Sequence, residues 1–494
     1  MSRWNLSWLI GITAAAVVGV SITYSTPPVH NKKYQNIKLL ADVLDEVEKK
    51  YVKELDQDKM RELIEAMING GLEKLDPHSG FMGVDEFKAF RQGSTGKFGG
   101  VGIRLGIDPR SGQFLVESPM AGTPAYEAGV MAGDLILKVD GKPLDNWTQK
   151  KVVEHIQGDP GTDVTLTVLH EGHKKPVDIK ITRAEIKIES VMGDTRDKID
   201  LKKWDFWIDP DSKIAYVRVN AFTETTVDEL SRVVEGLQKT GMRGLVVDLR
   251  TNPGGLLKAA VEVSSMFLPE GKRIVTTKGR GGEEQDVYDA KLKGNQRPGA
   301  YYPMAILLNR YSASASEIVA AALQDHARAI VVGERSYGKG SVQNLIEMEE
   351  KTTALKLTTA SYWRPSGRNI HRFPDSKEDD DWGVKPDKGY EVKLTDEERL
   401  EYFKWRRDRD ILRRNGEGAK ENGEKKDKKE FRDKALDKAV EYLRGEIAKQ
   451  AQRGEGPAVE PNAPVARVEP RTAPPLRQSV VAEVADRNYR NAVR

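Results

Sequence analysis

Between residues 36 and 90, apolar residues recur every three or four positions. Leu39, Leu40, Val43, Leu44 and Val47 set the period, and a second such run covers 58–75. That spacing puts the apolar side chains on one helical face, so 36–92 is predicted as an N-terminal helical region. "LDPHSGF" (75–81) closes it with helix-breaking Pro and Gly. From 96 to 184 the period shortens. "FGGVGIRLGI", "QFLVESP", "DLILKVDGKPL" and "DVTLTVL" read as short strands, with brief helices over 123–128 and 148–156. They predict a small barrel-like domain. From 214 to 386 strands and helices alternate. "GLVVDLR", "MAILLN" and "AIVVGE" are continuous apolar runs, the pattern of strands buried on both faces. Helices are predicted over 227–238 and 314–327, and another begins at "GGLLKAAVEVSSMFL". The expected fold class is α/β and multi-domain, with parallel strands and right-handed crossovers. Residues 394–453 read as a charged, partly helical extension, with 435–452 as a solvent-exposed helix. Residues 454–494, rich in Pro, Ala, Arg and Glu, read as a disordered tail.

The first 26 residues change this picture. Arg3 precedes the apolar run "LSWLIGITAAAVVGVSITY", which reads as a signal peptide or a single membrane anchor. Its length and the lack of a small-x-small cleavage site favour the anchor. The rest of the chain is then expected outside the cytoplasm. The 494 residues include no cysteine, which excludes disulfides, zinc-thiolate sites and cysteine nucleophiles. The net charge of +3 gives no reason to expect a nucleic-acid partner.

"VVGERSYGKGS" (331–341) looks at first like a phosphate-binding loop, with Gly333 and then Gly338-Lys339. Such a loop needs Ser or Thr directly after the lysine and must open a helix. Here Gly340 follows, and "SVQNLIEM" and "TTALKLTTASYW" read as strands. Both requirements fail. The ordinary alternative is a solvated lysine in a glycine turn.

A second window, "NRYSASASEIVAAALQD" (309–325), joins a buried strand to an Ala-rich helix. Ser314 and Glu317 match a capping box, so Ser314 has an ordinary role as an N-cap. A serine there also lies beside free N–H groups that favour a developing oxyanion. None of the seven histidines has a triad context, and His326 lies at the far end of the predicted helix. A Ser-Lys pair is the remaining chemistry. It requires a lysine kept neutral by burial.

"SASASEI…AALQDHARAIVVGERSYGKGSVQ" resembles the signature of the carboxyl-terminal processing peptidases, the tail-specific serine proteases of family S41. The resemblance covers about 36–393. It implies Ser314 as nucleophile and Lys339, 25 residues on, as general base. It also implies that Gln343 orients the lysine. "GLVVDLRTNPGGLL" resembles the family's D-L-R-x-N-x-G-G motif. That implies an oxyanion hole from the Ala315 N–H with one of Gly254 and Gly255, Gly254 being favoured. Arg364, the acidic insert 375–381 and Gln157 depart from the family pattern.

"GGVGI" (99–103) resembles the carboxylate-binding loop of PDZ domains, which points to Val101, Gly102 and Ile103. The implied architecture is a crotonase/ClpP-like α/β protease core at 185–393, a PDZ domain inserted at 96–184 and the helical segment before it. The implied activity is endoproteolysis of extracytoplasmic proteins (periplasm or cell envelope) with exposed C-termini. No cofactor or metal is implied. The membrane is a partner through the N-terminal segment, and a homo-oligomer is allowed. Two rivals are a catalytically silent PDZ scaffold at the membrane and an acyl-CoA enzyme of crotonase type.

Overall fold

The structure is a computed structural model that describes residues 32–291, 302–412 and 431–453. Both the apolar run at the N-terminus and the tail after 453 lie outside the described residues. Among those described, no helix is long and apolar enough to cross a membrane.

The helical region comprises α1 (Lys32–Lys50) and α2 (Gln57–Glu73), followed by β1 (Gly80–Met82) and α3 (Val84–Thr95). Asp56 starts α2 by accepting the Lys59 N–H at 2.8 Å. The next unit is antiparallel: β2 (Lys97–Gly100), β3 (Ile103–Ile107), β4 (Phe114–Pro119), β5 (Leu135–Val139), β6 (Lys142–Pro143), β7 (Asp163–Leu169), β8 (Val177–Thr182) and β9 (Ala184–Lys187). Its helices are α4 (Pro124–Glu127) and α5 (Gln149–Ile156), close to the predicted positions. The main sheet runs β3-β4-β5-β7-β8, which leaves one side of β3 open as an edge. Val101, Val116, Ile136, Val152 and Leu166 fill its core.

Four short strands follow: β10 (Val191–Met192), β11 (Thr195–Arg196), β12 (Trp204–Asp205) and β13 (Trp207–Asp209). The α/β unit is then β14 (Ile214–Val219), α6 (Thr226–Lys239), β15 (Gly244–Asp248), α7 (Leu257–Phe267), β16 (Arg273–Lys278), β17 (Glu284–Asp289), β18 (Met304–Leu308), α8 (Ala315–Asp325) and β19 (Ile330–Gly333). β14, β15, β18 and β19 are parallel neighbours in that order, as the apolar runs predict. After β19 the chain makes β20 (Ser341–Met348) and β21 (Thr353–Trp363), an antiparallel pair. No helix follows Lys339, in agreement with the rejection of a phosphate loop. β1 pairs with β21 through Phe81 and Leu355, so the helical region joins the same sheet.

Alternation along the parallel strands separates two cores. Ala215, Val217, Leu245, Val247, Ile306 and Val331 face α6, α7 and α8. Ile214, Tyr216, Val246, Ala305, Leu307 and Val332 face the other way. The elements behind that second face are α9 (Asp396–Asp410) and α10 (Lys434–Gln452). Ala435, Leu436, Ala439, Val440, Leu443 and Ile447 of α10 pack directly on it. The expectation of a solvent-exposed helix over 435–452 is therefore corrected. A doubly buried sheet needs cover on both faces, and α10 supplies it. Its apolar residues do recur at helical spacing, but the charged residues around them masked the stripe.

Buried ion pairs complete the attachment. Arg250 holds Asp248 at 2.6 Å and Asp433, the N-cap of α10, at 2.8 Å. Arg399 of α9 reaches Glu334 at 3.0 Å, and Arg218 of β14 reaches Asp410 at 2.7 Å. Leu443 is fully buried. Leu443→Ala is expected to lower the unfolding free energy by about 2–5 kcal/mol. Urea denaturation checks this; a solvent-facing helix would lose almost nothing.

Candidate active site

Two loops at the C-terminal ends of the parallel strands meet. The first leads from β18 to α8. Its last residue, Ser314, has φ 54° and ψ −114°, a conformation L-residues rarely adopt. Such a backbone persists only where its surroundings fix it. Here the Ser312 hydroxyl donates to Leu249 O at 2.8 Å. The Ala313 N–H and the Ser316 hydroxyl both donate to Asn252 O, each at 3.0 Å. The Ser314 segment is thus pinned to the loop after β15.

That loop carries Gly254 (φ 104°) and Gly255 (φ 141°). A Cβ on Gly254 would lie 2.8 Å from the Ser314 Cβ and from Ala313 O, and one on Gly255 would lie 2.2 Å from Phe222 O. Only glycine fits either position. The Gly254 N–H already donates to Asn252 Oδ1 at 2.9 Å. The Gly255 and Ala315 N–H groups have no hydrogen-bond partner among the described residues.

The second loop leads from β19 to β20 and carries Lys339. A Cβ on Gly338 would lie 2.8 Å from the Arg372 Cβ, and one on Gly340 would lie 2.2 Å from the His371 N. These glycines admit the extended segment 370–372, which packs over the lysine turn. Lys339 is half-buried. Desolvation is the main cause that lowers its pKa. The Lys356 cation adds to the effect and Glu317 opposes it.

Glu317 ties the two loops together. It is fully buried on the first turn of α8. Oε2 accepts the N–H groups of Ser314 and Lys339, both at 2.8 Å. Oε1 accepts the Ser336 hydroxyl and the Gly338 N–H, both at 2.6 Å. Burial raises its pKa to about 7 against the pull of those four hydrogen bonds. No direct side-chain hydrogen bond joins Ser314 to Lys339 among the described residues. Burial and then Tyr288 push the phenol of the buried Tyr362 up to about 12, while the Ser314 side chain pulls it the other way.

Residues 213–388 match the profile of peptidase family S41, and residues 115–169 match that of the PDZ domain. The chain is 36% identical over 466 residues to a carboxy-terminal-processing protease of Bartonella bacilliformis, covering 91% of this chain and 98% of that one. The chain belongs to peptidase family S41. It is 30% identical over 374 residues to the carboxy-terminal processing protease CtpA of Bacillus subtilis, covering 76% of this chain and 70% of that one. Among solved structures, the photosystem II D1 C-terminal processing protease is 28% identical. The match covers 71% of this chain and 86% of that one at a TM-score of 0.39. The protein is a serine-type peptidase with a PDZ domain.

In this S41 peptidase the remaining residues singled out from sequence divide in two. Gln343 on β20 donates through Nε2 to Ser341 Oγ at 2.9 Å and to Thr358 Oγ1 at 3.1 Å. It makes no hydrogen bond with Lys339 among the described residues. In the PDZ unit, Val101, Gly102 and Ile103 lead into the edge strand β3. The Val101 and Gly102 N–H groups have no partner among the described residues. Gly102 has φ 81°, and a Cβ there would lie 2.4 Å from Thr123. Its carbonyl accepts the Met120 N–H at 2.9 Å and the Thr123 hydroxyl at 3.0 Å, which fixes the loop. α5 flanks β3, with Gln149 Nε2 reaching Leu105 O at 3.2 Å.

Two features escaped the sequence reading. Glu317 was visible only as half of a capping box; its bonds to the Lys339 loop had no signal. Tyr362 sat in the run "TTALKLTTASYW", which read only as a strand. Arg364, a departure from the family pattern, pairs with Asp325 at the end of α8 at 2.6 Å. His326 points away, toward Arg273 O at 2.7 Å. No cluster of three or more His, Asp or Glu among the described residues is placed to hold a metal ion.

The folded pKa of Glu317 lies above its ordinary value of 4.5, so the folded chain holds that proton more tightly than the unfolded one. Its contribution to stability is present in full below about 4.5 and is lost as pH rises through about 7. Urea denaturation between those pH values checks this against Glu317→Gln, which should lack that component of the slope.

Proposed function

We propose that the chain is a serine endopeptidase that works through a Ser314–Lys339 dyad and selects extracytoplasmic proteins by their exposed C-termini. The observation that carries this reading is the Glu317 carboxylate, bonded at once to the backbones of Ser314 and Lys339. A partly desolvated lysine beside a strained serine is what such chemistry needs. A silent PDZ scaffold would need neither.

In the reaction, Ser314 Oγ attacks the scissile carbonyl and Lys339 Nζ takes its proton. The developing oxyanion lies against the helix N-terminus, where the Ala315 N–H is uncommitted. Of the two glycines, Gly255 has the free N–H, so it replaces Gly254 as the favoured second donor. Collapse of the tetrahedral intermediate passes the proton from Lys339 to the leaving amine. Water then hydrolyses the acyl-enzyme, again with Lys339 as base. Gln343 orients the lysine.

The PDZ unit contributes selection. A C-terminal peptide adds along β3, and its carboxylate meets the Val101, Gly102 and Ile103 N–H groups. The adjoining segment is then fed to the dyad. An N-terminal anchor would hold this activity at the membrane surface.

Digestion of casein tests the dyad. Ser314→Ala, Lys339→Ala and Lys339→Arg should each lose at least about 10³-fold in rate, since arginine cannot act as the base. Equal digestion by wild type and variants would sink the dyad. In wild type, kcat/KM should rise with pH as Lys339 loses its proton, with the midpoint below the ordinary lysine value of 10.5.

A further inference from the structure

The loop "LDPHSGF" was singled out in the sequence, yet the dyad gives it no task. In the structure it leaves α2 and packs against β21, beside the start of β20. Asp76 is its centre. The carboxylate accepts the N–H groups of His78 at 2.8 Å and Ser79 at 2.9 Å, the Ser79 hydroxyl at 2.6 Å and the Thr358 hydroxyl at 3.0 Å. The Ser79 oxygen in turn accepts the Thr358 N–H at 3.0 Å. Burial opposes its charge, but these hydrogen bonds outweigh that and hold its pKa below the ordinary value. Asp76 is therefore an ionised acceptor with no proton to give.

That sets the direction of the bonds from Thr358 onward. The Thr358 hydroxyl must donate to Asp76. Its oxygen is then left only as an acceptor, and it lies 3.1 Å from the Gln343 side-chain nitrogen. The same nitrogen lies 2.9 Å from Ser341 Oγ. A primary amide has two N–H donors on one end and a carbonyl on the other. With both donors engaged, Gln343 Oε1 is the free end, and it makes no hydrogen bond among the described residues. Ser341 and Gln343 share one face of β20, and Lys339 lies two residues before Ser341. The charge of Lys339 is felt at His78, two residues from Asp76.

We propose that Asp76, acting through Thr358, sets the orientation of the Gln343 amide so that its carbonyl faces the catalytic lysine. Asp76 and Thr358 are then positioning residues for the dyad. The inference rests on the reading of Lys339 as base and Gln343 as its orienting partner. Without the Asp76 acceptor, the Thr358 hydroxyl could donate to the amide, and the amide would turn its N–H₂ end toward the lysine. An amino group there opposes both the ammonium and the orientation of the free amine.

Steady-state cleavage of a short peptide by the full chain tests this. Thr358→Val keeps the shape and removes the hydroxyl. It should lower kcat about tenfold or more, with KM changed less than about twofold. Thr358→Ser should restore the rate, and Asp76→Asn should lower kcat as Thr358→Val does. In a Gln343→Ala background, Thr358→Val should cause no further loss, because its effect passes through that amide. Unfolding midpoints identify any variant that fails by losing its fold, in which case the Gln343→Ala background and Thr358→Ser decide. An unchanged kcat in Thr358→Val overturns the proposal, as does an equal loss with and without Gln343. A Gln343→Ala enzyme with full activity overturns the role of Gln343 itself, and the proposal with it.

Discussion

A single buried carboxylate holds the two loops of the candidate site together. Glu317 accepts four hydrogen bonds, two from the segment around Lys339, one from Ser336 and one from Ser314. An ionised carboxylate in the core is costly unless its lone pairs are satisfied. Any displacement of one loop from the other would strip donors from it. The desolvation cost therefore acts as a restraint: the two loops meet at one separation or the carboxylate is left exposed to an apolar core. The strained backbone of Ser314 and the close glycine contacts of the lysine turn are tolerable within that frame.

The restraint extends outward through "DLR", where β15 ends. Asp248 and Arg250 pair with each other, and Arg250 also pairs with Asp433 at the start of α10. The loop that follows them carries Asn252, Gly254 and Gly255. Asn252 O receives both Ala313 and Ser316, so the glycine loop and the nucleophile share one anchor. α10 covers the far face of the parallel sheet. α9 adds Arg399 to Glu334, at the root of the lysine loop. The C-terminal helices, read from sequence as a charged extension, are part of the scaffold that positions the two loops of the site. Such ion pairs are poor sources of net stability but good at fixing register.

The helical region has a comparable position. β1 adds to β21, and Arg61 of α2 pairs with Glu349 at 2.6 Å. Through Asp76 the same region reaches the floor beneath Gln343. The site thus draws on segments separated by nearly the whole described chain. The PDZ unit is attached from the other side, where Arg104 of β3 donates to Asp410 O and Leu412 N–H donates to the Ser118 hydroxyl.

The strands, their parallel pairing and the candidate serine and lysine were legible in the sequence, because each rests on a local pattern. Apolar runs mark doubly buried strands, and Gly-Lys-Gly and Ser-Ala-Ser-Ala-Ser-Glu are short and distinctive. The cover over the second sheet face was not legible. The apolar stripe of α10 is diluted by charge, and the arginines buried on α9 look like a solvated helix until their carboxylate partners are placed. The choice between Gly254 and Gly255 was also beyond the sequence, since it depends on which N–H Asn252 occupies. By itself the sequence determined the period of each element and placed a candidate serine and lysine, with the glycines beside them, in two short windows. Tertiary structure alone decided that Glu317 would join the two and that Asp76 would reach Thr358, the neighbour of Gln343. Those are contacts between distant segments. They exist only once desolvation forces each buried polar group to find its partner.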